Sequence, residues 1–246
     1  MQTASGARLD MGRVALLLAF LAVGWFFWDS PVLRPVKLLV VMMHESGHAI
    51  ASLIVGGSVQ SITLRADESG ACFSALPPGV LRQIIVFSAG YLGSAVMGAV
   101  LMLATFRFRL RRLVLGAACL WLAVMGVLYA RDAFTLAFCL GTSAVLGVAA
   151  KFLPEGAVEV VNLFLAAFTA LYALFDFRSD LWDSQVRAGS DAALLAQHTW
   201  VPAIVWAAIW TLLGISLLGW AAYKSMHVDH KSSNMRMPPL SSARRF

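Results

Sequence analysis

Seven apolar runs, each bounded by charged, proline- or glycine-containing stretches, divide this chain. The first runs from Val14 to Trp28 and ends in Trp25-Phe26-Phe27-Trp28, an aromatic belt of the kind found at a membrane–water interface. It lacks the small-residue cleavage site of a signal peptide and reads as a span. The others cover Val36 to Val55, Gln83 to Thr105, Leu113 to Ala130, Ala133 to Ala150, Ala157 to Phe175 and Val201 to Tyr223. Each approaches the twenty or so apolar residues that cross a bilayer as a helix. Between the second and third runs the pattern changes. Ser58 to Arg65 alternates β-branched and polar residues, Asp67-Glu68-Ser69-Gly70 marks a turn, and Ala71 to Ala75 can return as a second strand. The expectation is an all-α polytopic membrane protein of about seven transmembrane helices, with a β-hairpin over 58–75. Gly56-Gly57 ends the second helix, and Ser190-Asp191-Ala192 opens a short extra helix before the last span.

Composition sharpens this. Of 246 residues, 60% are hydrophobic and 13% charged, with a mean hydropathy of +0.78, whereas soluble domains are near half apolar and a quarter charged. No polar stretch is long enough for a separate soluble core. The organisation expected is an N-terminal tail over 1–13, a membrane domain over 14–224 and a disordered basic tail over 225–246. The net charge of +6 does not point to nucleic acid. The basic residues cluster in connections such as Arg107 to Arg112 and in the tail, as in loops facing anionic lipid. Arg131-Asp132, between two spans, reads as an interfacial ion pair. Cys72, Cys119 and Cys139 have no paired spacing, and no disulfide framework follows.

The chemistry is concentrated in the second run, at His44-Glu45-Ser46-Gly47-His48. On a helix His44 and His48 lie one turn apart on one face, so both imidazoles can reach one metal ion, with Glu45 placed to deprotonate water. Ionisable side chains inside a span are costly and mark function. A catalytic zinc takes three protein ligands, and the third must come from far along the chain. Asp176, ending an apolar helix, is the first candidate and equally an interfacial acid; Asp132, Asp180 and Asp191 follow it. The stripe of small residues from Ser88 to Ala99 suits close helix packing, which a core helix beside the metal would also need.

These residues resemble the site-2-protease-like family of intramembrane zinc metallopeptidases, in its short bacterial branch without a PDZ domain. The resemblance rests on His44 to Ala49, Gly56-Gly57 with the hairpin, Ser88-Ala89-Gly90, Tyr172 to Asp176 and Ser190-Asp191-Ala192, and covers most of residues 36 to 220. It implies Zn2+ bound by His44, His48 and Asp176, and Glu45 as catalytic acid/base. It also implies membrane-protein or peptide substrates within the lipid bilayer, and a multi-pass protein of a bacterial plasma membrane. The family's Leu-Asp-Gly is replaced here by Phe175-Asp176-Phe177. That keeps open a second reading: a catalytically inactive membrane protein of the same fold, acting as a metal- or partner-binding module. A transporter is disfavoured, because no paired broken helices in two related halves are visible. Orientation stays open: the basic clusters place residues 107–112 and the tail in the cytoplasm, while the family resemblance implies the reverse.

Overall fold

The computed structural model describes residues 8–182 and 189–228, with the side chains of 9–175 and 189–227. Helices stand at all seven apolar runs: α1 (Met11–Phe26), α2 (Arg34–Ile54), α3 (Val80–Met102), α4 (Arg111–Tyr129), α5 (Ala133–Phe152), α6 (Glu155–Trp182) and, after the short α7 (Asp191–Thr199), α8 (Ala203–Met226). The long antiparallel hairpin is β2 (Ser58–Leu64) with β3 (Gly70–Ala75). Two-residue strands β1 (Arg8–Leu9) and β4 (His227–Val228) pair near the chain ends, so regular structure continues beyond the expected start of the basic tail at 225.

Local chemistry sets the boundaries. Gly56 follows α2 in a left-handed conformation, φ 84°, and the amides of Gly56 and Gly57 close onto the carbonyls of Leu53 and Ser52. Ser190 caps α7 by accepting from the Ala193 amide. Asp132 caps α5, accepting from the Thr135 amide at 2.8 Å and its hydroxyl at 2.7 Å. Among the described residues it does not pair with Arg131, whose guanidinium donates to the Ala130 carbonyl instead. Chain geometry brought a backbone donor closer than the neighbouring guanidinium.

Among the described residues, five helices are long and apolar enough to cross a membrane: α3 with its continuation to Arg107, α4, α5, α6 over Glu155–Phe175, and α8. The other two expected spans differ from them for physical reasons. Helix α1 is apolar but only 16 residues long. Helix α2 has 21 residues, but it carries Arg34, Lys37 and Glu45 and is buried along most of its length, so it is a core helix rather than a lipid-facing one. Around it, α3 and α6 are the more deeply buried of the five, while α4 and α5 form a peripheral, largely exposed pair.

Helix α2 runs antiparallel to α3, with His48 level with Val86 and His44 level with Gly90. The hairpin lies along α2. Its tip residue Glu68 is held by Lys37 and by Arg34 (3.5 Å), and Lys37 sits 5.3 Å from the centre of the Trp28 ring. On the far side of β2, Ile62 bridges to Ala130 and the Leu64 amide donates to the Thr135 hydroxyl at 2.7 Å. The outer edge of β3 has no partner strand among the described residues.

Six helix ends meet at one end of the molecule. Arg13 at the start of α1 lies over the Phe106 ring and donates to the Ser225 carbonyl. Arg111 at the start of α4 is paired with Glu155 and Glu159 of α6. Arg112 donates to carbonyls at the end of α5. This is the basic end.

Candidate metal centre

Helix geometry puts His44 and His48 on one face of α2, and tertiary packing delivers a carboxylate to them. Asp191 Oδ2 lies 2.9 Å from His44 Nε2 and 3.0 Å from His48 Nε2. One ligand atom from each of the three residues falls within 4.8 Å of the others. Both histidines are buried and Asp191 nearly so. His48 Nδ1 donates to the Val86 carbonyl at 2.7 Å. That bond fixes the ring and, in the neutral imidazole, leaves the Nε2 lone pair facing Asp191. Two acceptors 3.0 Å apart in a buried site repel unless a proton or a metal cation lies between them. Two imidazole nitrogens and one carboxylate oxygen are also the donor set of catalytic zinc, so the residues fit that metal.

The two imidazoles lie directly against the backbone of α3. A Cβ at Gly90 would overlap the Nε2 atoms of both histidines. Helix α3 can come this close because Gly47 faces it: a Cβ there would overlap the Ala89 carbonyl. Aromatic rings frame the pair. Tyr91 stands edge-on to His44 at 5.0 Å and stacks on Trp210 of α8, whose indole N–H donates to the Ser88 hydroxyl at 3.0 Å. Helix α7 rests on this group through Ala192 and Leu195, which is how Asp191 is held over the imidazoles. Trp210 precedes Met226 by 16 positions of α8, roughly 24 Å at 1.5 Å per residue. The centre therefore lies far from the basic end.

Glu45 is buried beside the hairpin. A Cβ at Gly70 would come within 2.9 Å of its Oε1, so β3 borders this carboxylate. Burial opposes charge on Asp191, but when the imidazoles carry a proton on Nε2 the charge of His48 and the hydrogen bonds from both rings outweigh it and hold the carboxyl well below the usual carboxylate range. Burial, together with the negative charges of Glu45 and Asp191, pushes the Cys72 thiol up to about 12. It is not a thiolate at neutral pH.

His44, Glu45 and His48 lie on α2, with both imidazoles in the candidate metal group. Asp176 continues helix α6, and its side chain, like that of Asp180, lies outside the described residues. Asp132 is engaged as a helix cap. Among the described residues, the carboxylate at the imidazoles is Asp191, which the sequence ranked below Asp176. Its only local signal was a polar residue opening a short helix after an acidic connection, and that pattern is equally a surface turn.

A family model described as Peptidase M50B-like matches residues 15–221. Comparison with curated proteins and with solved structures returned no match. The match takes in α2 with both histidines, the hairpin, α3 to α6 and Asp191, and α8 as far as Ala221. The chain belongs to the Peptidase M50B-like family of site-2 proteases, membrane metallopeptidases.

Proposed function

We propose that this protein is a zinc-dependent intramembrane endopeptidase in which His44, His48 and Asp191 hold the metal and Glu45 is the general base. One observation carries the ligand set: a single carboxylate oxygen lies within 3.0 Å of both Nε2 atoms. It favours Asp191 over Asp176 as third ligand. Zinc, when bound, supplies Lewis acidity at a scissile carbonyl and lowers the pKa of water toward about 7. The remaining work falls to the chain. The bond from His48 Nδ1 to Val86 keeps the imidazole in the ligating tautomer. The Glu45 carboxylate takes the proton of the attacking water and returns it to the leaving amine.

A substrate helix must unwind before its carbonyl can be attacked, since that carbonyl is hydrogen-bonded within the helix. The outer edge of β3, which borders Glu45, offers backbone groups to hold the unwound segment extended. Substrates are then membrane-protein or peptide segments, cleaved within or near the bilayer, and a bacterial plasma membrane is the proposed location.

The test is zinc content and cleavage measured on the same purified preparations. Glu45→Gln is expected to keep zinc and lose cleavage, Asp191→Ala to lose both, and Asp176→Ala to keep zinc. Full cleavage by Glu45→Gln would refute the mechanism. Zinc without cleavage in the wild type would support the inactive metal-binding module instead.

A further inference from the structure

At the basic end, α3 does not stop cleanly but widens into a π-helical turn over Leu103–Arg107. Such turns displace side chains from the helical path and recur at functional positions. Here the turn lies beside the last turns of α8, and a groove of about 370 Å³ opens between them. Leu103 is among its lining residues. Its cations are Arg107 and Lys224, with the His227 imidazole beside them, and its aromatic rings are Phe108, Trp220 and Tyr223.

Arg13, Arg111 and Arg112 are engaged inside the protein, by Asp10, by Glu155 and Glu159, and by the carbonyls closing α5. Lys224 is exposed and has no acidic partner among the described residues. The macrodipole favours a cation in the last turn of α8, but it does not account for Arg107 arriving from a different helix. His227 is fixed against the groove: its Nδ1 donates to the Tyr223 carbonyl at 2.6 Å and its ring lies tilted against Tyr223, centroids 4.1 Å apart. Phe108, Trp220 and Tyr223 are 65%, 51% and 59% exposed. They stand outward where two apolar helices, α3 and α8, reach their ends, the depth at which aromatic belts meet lipid headgroups.

We propose that this groove binds the headgroup of an anionic phospholipid. The phosphodiester is held by Arg107 and Lys224, and the glycerol and upper acyl chains lie against Trp220 and Tyr223. Charge complementarity selects an anionic headgroup over a zwitterionic one, and the aromatic rim selects a lipid over free phosphate. The site is separate from the His44, His48 and Asp191 centre and does not depend on it.

The test uses the full chain in neutral detergent, titrated with phosphatidylglycerol, phosphatidylcholine or soluble glycerophosphate, and followed by thermal unfolding and by native mass spectrometry of retained lipid. Phosphatidylglycerol is expected to raise Tm saturably, and the other two are not. Arg107→Gln with Lys224→Gln is expected to weaken that response about thirtyfold, from two basic groups near an anionic headgroup. Lys151→Gln, at the same end but outside the groove, is expected to leave it unchanged. If the double variant fails to fold, Lys224→Gln alone, on an exposed side chain, is expected to show about a fivefold loss. An undiminished response in the variants overturns the proposal. So does an equal response to phosphatidylcholine, or to glycerophosphate without lipid.

Discussion

Replacing Gly90 by Ala adds one methyl group where the structure has no room for it. The new Cβ would overlap the Nε2 atoms of both His44 and His48. Helix α3 cannot retreat freely, because α6 and α8 pack behind it: a Cβ at Gly98 would overlap the Thr169 hydroxyl and stand 3.0 Å from Leu218. The imidazoles must therefore turn. Turning His48 breaks its 2.7 Å bond to the Val86 carbonyl. Losing an outer bond of that kind costs about 10- to 100-fold in metal affinity, or about 1.4 to 2.7 kcal/mol. Overpacking destabilises the metal-free fold by about 1–3 kcal/mol as well. The assay is zinc affinity by chelator competition, beside thermal unfolding of the metal-free protein. Gly141→Ala on α5, where a Cβ meets nothing within 4 Å, is the control and is expected to match wild type in both. Wild-type zinc affinity in Gly90→Ala would refute the reasoning, because the methyl group would then have displaced neither imidazole from its ligating position.

Two further outcomes follow from ion pairs and caps away from the metal centre. Glu68→Ala removes the carboxylate from Lys37, whose side chain is 5% exposed. Leaving that charge buried is expected to cost about 3 kcal/mol, read by thermal unfolding, and Lys37→Met combined with Glu68→Leu should recover most of it. Hydrogen bonds from the Thr135 amide and hydroxyl outweigh desolvation and lower the Asp132 carboxyl from its ordinary 3.8. Its contribution is therefore present above that ordinary value and is lost as pH falls through the depressed folded one. Asp132→Ala is expected to cost about 1 kcal/mol at neutral pH, as loss of a helix cap does, with the gap to wild type closing under acid.

The chain's linear pattern determined the elements, because those depend on neighbours a few residues apart. Apolar runs placed seven helices, alternation and a polar turn placed the hairpin, and Gly56 and Ser190 marked where α2 stops and α7 starts. The pair His44 and His48 with Glu45 was legible for the same reason: a helical turn alone brings residues four apart onto one face. What completes the centre is not local. Asp191 meets His44 across 147 positions, through α7 resting on Tyr91 and Trp210, and no periodicity distinguishes it from Asp176. Likewise the Val86 carbonyl that orients His48, the gap left by Gly90 and the clamp of Lys37 on Glu68 arise only when helices pack. A side chain's type is written in the chain, but its distance to a distant partner is set by the summed packing of every element between them.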